Sequence, residues 1–189
     1  NVALGSFGLE FYQSFAETMA VDGERAEISF KPQGYLFLSD GGDNTQMRAN
    51  FETQTANGVS AELLERTDLK ARYPSVNFDD VDIGVLTADD AWVDPHAALM
   101  GFRRKARSLG VEYLKDRVVD WIGDQSIARS VQLESGGALT ADCFVLAAGA
   151  WSGEVAAQLG WRVPIRPMSR QTHFFRCKAD LEPLPFIKA

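Results

Sequence analysis

Apolar residues recur every three or four positions at the start of the chain. Leu4, Phe7, Phe11, Phe15 and Met19 follow this spacing. The spacing predicts an amphipathic helix that buries one stripe of side chains against a core.

Short apolar runs between polar turns predict strands in the segment that follows. Residues 27–30 and 34–38 are expected to form two strands, and residues 83–86 a third. Ser60 is predicted to cap a short helix that ends at residue 64. Residues 171–176 alternate in the manner of a strand, which we expect to return to this sheet.

The strongest helix signals lie between residues 94 and 110. Asp94 is a favourable N-cap, Pro95 suits the first helical position, and Gly110 is a typical left-handed stop. One face of the predicted helix is apolar and carries Ala98, Leu99, Phe102, Ala106 and Leu109. Residues 111–114 are predicted to follow as a strand, as in α/β connections.

Residues 118–122, 127–133 and 138–140 predict a three-stranded antiparallel meander. Residues 143–148 form a continuous apolar run, which is typical of a central parallel strand covered on both faces. Ser152 is predicted to cap the next helix, which ends near Gly160. The elements together predict a mixed α/β fold.

The predicted parallel strand lacks a full set of neighbours in this sequence. Only residues 111–114 offer a second parallel strand beside residues 143–148. We therefore expect an open sheet edge, on which two copies of the chain could associate.

Composition narrows the classes of function. The 189 residues are 46% hydrophobic and 24% charged, with a formal net charge of −7. The negative charge argues against nucleic acid and anionic membrane surfaces as partners. No apolar run approaches the roughly 20 residues of a membrane-spanning helix. The sequence begins at Asn1 without an initiator Met or a signal peptide, so we interpret this as a cut end.

The cysteines and histidines suggest neither disulfide nor metal chemistry. Cys143 and Cys177 are far apart, so we expect two buried free thiols in a reducing compartment and a cytoplasmic location. His96 and His173 fall outside any metal-ligand spacing, so no metal site is expected.

Gly149 stands at the carboxyl end of the predicted parallel strand, where open α/β sheets bind ligands. A residue without Cβ lets the backbone approach a ligand closely, and Ala147, Ala148 and Ala150 keep the surroundings small. The same residues also fit a tight strand-to-helix turn that needs small side chains for packing. The residues alone leave both interpretations open.

Residues 146–152, Leu-Ala-Ala-Gly-Ala-Trp-Ser, follow the meander and resemble the late-strand motif of the D-amino-acid oxidase and sarcosine oxidase family. Further stretches are similar to that family in the same order: residues 33–38, 72–74, 93–95 and the segment after Gly110. The resemblance implies part of a Rossmann-like FAD-binding domain with a three-stranded β-meander at 94–163. It also implies part of an antiparallel-sheet substrate domain at 1–93, with its return strand in 164–189.

The resemblance implies FAD as the cofactor and a small-molecule amine or amino acid as the substrate. Relatives oxidise the C–N bond by hydride transfer to the flavin. The implied cofactor-binding residues are Val118, Val119, Ala147, Ala148, Gly149 and Trp151. The backbone of Val119, or of its neighbour Val118, would pair with the adenine, although both valines also fit ordinary meander core. No catalytic residue is implied.

Two features depart from the family pattern. The G-x-G-x-x-G turn that holds the FAD pyrophosphate does not occur in the 189 residues. Residues 167–171, Pro-Met-Ser-Arg-Gln, differ from the Arg-Gly-Gln of many oxidases, which leaves the substrate subgroup open.

We therefore interpret the chain as an internal fragment of an FAD-dependent oxidoreductase, and expect the isolated chain to lack FAD and activity. Two alternatives stay open. One is a non-catalytic binding or interaction module on a flavoprotein-like fold, and the other is a fragment of another flavoprotein class such as a hydroxylase.

Overall fold

The computed structural model describes residues 2–39, 42–123, 127–173 and 176–189. Within these ranges the helices are α1 (Val2–Gln13), α2 (Phe15–Thr18), α3 (Thr45–Ala56), α4 (Arg66–Arg72), α5 (Pro95–Ser108) and α6 (Ser152–Ala157). The strands are β1 (Lys31–Pro32), β2 (Tyr35–Leu38), β3 (Ala61–Glu65), β4 (Ile83–Thr87), β5 (Ala91–Trp92), β6 (Val118–Gly123), β7 (Ala128–Leu133), β8 (Ala138–Thr140) and β9 (Phe186–Lys188). The predicted mixed α/β fold is confirmed.

The chain divides into two compact units. The first contains the residues up to Val111 together with Cys177–Ala189, and the second contains Glu112–Arg176. These boundaries differ from the predicted ones at 93/94 and 163/164, chiefly because α5 packs into the first unit. The assignment of the two parts to a substrate domain and a cofactor domain stays a prediction.

A four-stranded sheet forms the centre of the first unit, in the order β3-β4-β2-β9. Its first three strands are antiparallel, whereas β9 runs parallel to β2. Among the described residues, the strand that returns to this sheet lies at 186–188, and residues 171–173 and 176 belong to no strand. The reason is packing: Ile187 contacts the core of this sheet, whereas residues 171–173 are exposed. Residues 174 and 175 lie outside the described part of the chain.

One face of this sheet is buried under α4 and the loop that follows it. The buried residues of this core are Leu36, Leu64, Leu69, Tyr73, Phe78, Val81 and Leu86. Residues 61–65 form β3 and not the helix that was predicted from Ser60. Pairing of β3 with β4 brings Leu64 into the core, and the helix begins only at Arg66, behind a capping box between Glu65 and Asp68.

A second core joins α1, α2 and α5 in the same unit. Phe15 is fully buried there, together with Ala26, Ile28 and Ala98. The predicted start of α5 is confirmed, because the Asp94 carboxylate accepts hydrogen bonds from the backbone N–H groups of His96 and Ala97. The first turns of α1 are not covered, so the predicted buried stripe is wrong there: Leu4 is 72% exposed.

Two further segments of the first unit differ from prediction. Residues 27–30 form no strand, because Ser29 has a φ of 52°, which interrupts extended backbone. Helix α3 was not predicted, since Met47 and Phe51 are its only large apolar residues and two such residues are too few to mark a helix.

The second unit contains the predicted meander, which is confirmed in the order β6-β7-β8 with antiparallel pairing. Its core includes Val131, Ala156 and Leu159. Residues 111–114 and 143–148 were predicted as parallel strands but belong to no strand. A strand needs a hydrogen-bonded neighbour, and the described residues pair none with them. Val145 is consequently 85% exposed.

The two cysteines are free, as predicted, but both are exposed, so the prediction of buried thiols is wrong. Segment 143–148 is not sandwiched between layers, which leaves Cys143 accessible. In the described ranges, no helix is long and apolar enough to cross a membrane. No three His, Cys, Asp or Glu side chains of those same residues converge as a metal site.

Candidate cofactor site

Gly149 lies where segment 143–148 turns into α6. It opens a single 3-10 turn, Gly149–Trp151, with a φ of 55°. A Cβ on Gly149 would meet no atom within 4 Å, so the backbone angle, and not a lack of space, favours glycine here. The backbone N–H of Trp151 donates to the carbonyl of Ala148 at 3.1 Å and closes the turn. The surface beside Gly149 is therefore open.

Helix α6 is anchored on the segment that follows it. A Cβ on Gly153 would lie 2.3 Å from the carbonyl oxygen of Ile165, so only glycine fits at this contact. Ser152 is buried and is the first residue of the helix, so the capping position falls on Trp151, whose side chain makes no capping hydrogen bond. The predicted capping role of Ser152 is therefore wrong, and close packing at Gly153 holds the start of α6.

Val119 occupies an irregular position in the meander. Val118 pairs with Leu133 and Asp120 pairs with Gln132, which leaves Val119 as the extra residue of a β-bulge. A bulge leaves the backbone groups of its extra residue without a ladder partner and able to bind elsewhere. Val118 and Val119 are 40% and 39% exposed, in contrast to the buried Val131 of the same meander.

Polar contacts fix the start of β6 just before these valines. Hydrogen bonds from Ser135, and from the backbone N–H of Arg117, hold the pKa of Asp116 below its usual value. The guanidinium of Arg117 pairs with Glu134. Both contacts tie β6 to the end of β7, so the bulge at Val119 is held at a defined place.

The predicted site residues fall in two groups within the second unit. Ala147, Ala148, Gly149 and Trp151 follow one another around the turn, and Trp151 is exposed. Val118 and Val119 lie on β6. The Trp121 and Phe144 rings, with centroids 5.4 Å apart, place β6 beside the segment that leads to the turn.

The turn carries no ionisable side chain between Ala147 and Trp151. It can therefore hold a ligand by backbone and apolar contacts but cannot itself transfer protons. A cavity of about 250 Å³ lies nearby, lined by side chains that include Trp121, Phe144, Leu146 and Val155.

Sequence reasoning missed a second surface, on the four-stranded sheet of the first unit. An open cavity of about 470 Å³ lies between helix α3 and this sheet, with Phe37 and Val85 in its wall. The alternation of residues 34–38 predicted the strand but gave no signal for α3 or for the neighbouring β9. The helix carries only two large apolar residues, Met47 and Phe51, and β9 pairs with residues far away in sequence.

Comparison with known proteins gives one consistent result. The sequence profile of the FAD-dependent oxidoreductase family (DAO) matches residues 2–186. A Bos taurus protein, FAD-dependent oxidoreductase domain-containing protein 1, is 27% identical over 94% of this chain and 43% of its own length. The 4-methylaminobutanoate oxidase (formaldehyde-forming) of Paenarthrobacter nicotinovorans is 25% identical over 86% of this chain and 19% of its own length.

A solved structure, that of L-proline dehydrogenase from P. horikoshii, matches with a TM-score of 0.68 and 24% identity. The match covers 82% of this chain and 40% of that protein. The chain thus spans less than half the length of these relatives.

Proposed function

The chain belongs to the DAO family of FAD-dependent oxidoreductases, and from this premise we propose that it forms part of an enzyme that oxidises the C–N bond of an amine or amino acid. The observation that carries the proposal is the extent of the family match, which runs over residues 2–186. Further relatives support oxidation of a C–N bond as the reaction. Their names include 4-methylaminobutanoate oxidase, sarcosine dehydrogenase and D-amino acid dehydrogenase.

The residues of the second unit fit the adenine side of FAD. The bulge at Val119, with Val118 beside it, offers backbone groups to a base edge. The turn formed by Ala147, Ala148 and Gly149 offers an open, uncharged backbone surface. Trp151 adds an exposed ring that could cover one face of the ligand. We propose these contacts as the contribution of this chain to cofactor binding.

FAD, when bound, supplies the hydride acceptor for the carbon beside the amine. The protein contributes binding, orientation and exclusion of water. These 189 residues contain no G-x-G-x-x-G turn for the pyrophosphate. We therefore propose that the cofactor is held jointly by this chain and by a segment of a longer protein, here called the parent protein.

Anaerobic flavin reduction in the parent protein tests the proposed reaction. The protein is mixed with sarcosine, L-proline or 4-methylaminobutanoate, and the visible flavin absorption is followed. Methoxyacetate, in which oxygen replaces the nitrogen of sarcosine, is the matched control. We expect at least one of the amines to bleach the flavin and methoxyacetate to leave it unchanged. Bleaching by methoxyacetate, or by none of the amines, contradicts the proposal.

A further inference from the structure

We draw no further inference here: the strongest candidate, the surface patch of exposed apolar side chains that α1 and α5 form in the first unit at Leu4, Phe7, Leu99 and Phe102, carries none because nothing in the described part of the chain shows what covers it.

Discussion

Gly149 and Val119 are the residues on which the proposed cofactor contact depends most. Gly149 gives an open turn with a positive φ, and Val119 is the unpaired residue of a bulge. Both features would bind the cofactor through the backbone. A substitution can therefore test them only where the added side chain would occupy the space of the ligand. Gly149 offers such a place, because no protein atom lies within 4 Å of its missing Cβ.

We predict that Gly149→Ala weakens FAD binding by the parent protein roughly tenfold or more, as for a methyl group forced into a packed contact. Gly136→Ala is the matched control. Gly136 also has a positive φ, of 94°, and open space around its missing Cβ, so its variant carries at least as much backbone strain. Flavin fluorescence measures the dissociation constant. Equal loss of affinity in the two variants contradicts the proposed contact.

Helix α5 is the element for which sequence and structure agree most closely. Its start depends on Asp94, which accepts two backbone hydrogen bonds. We predict that Asp94→Ala lowers the free energy of unfolding by about 1 kcal/mol, because two N–H groups lose their partner. Asp94→Asn keeps a side-chain oxygen that can accept these bonds, so it should lower the free energy of unfolding by only a fraction of that amount. Urea unfolding of the chain measures both, and equal losses in the two variants contradict the capping role.

Signals that are local in sequence predicted elements well. Asp94, Pro95 and Gly110 mark α5 within one stretch, and short turns mark the meander. Elements that depend on distant partners were missed or misplaced. Strand β9 exists because it pairs with β2, far away in sequence, and residues 143–148 form no strand because no described neighbour pairs with them. The candidate site follows the same rule: the turn at Gly149 was foreseeable from adjacent residues, whereas the cavity beside α3 was not, because it forms only where α3 meets the sheet.

The whole chain supplies only part of the proposed cofactor site. The second unit carries the turn and bulge proposed for the adenine side of FAD. Helix-terminal amides of a G-x-G-x-x-G turn would normally bind the pyrophosphate, and the 189 residues contain no such turn. The central claim is therefore that cofactor binding is divided between this chain and the rest of the parent protein.

The FAD dependence of the melting temperature tests this claim most directly. A ligand at 100 times its dissociation constant stabilises a protein by roughly 2.7 kcal/mol, a shift on the order of several degrees. We predict such a shift for the parent protein. For the 189-residue chain alone, we predict none with sub-millimolar FAD and a colourless preparation. The claim is contradicted if FAD does not raise the melting temperature of the parent protein. It is also contradicted if this chain alone is purified yellow and shows an FAD-dependent rise in melting temperature that Gly149→Val abolishes.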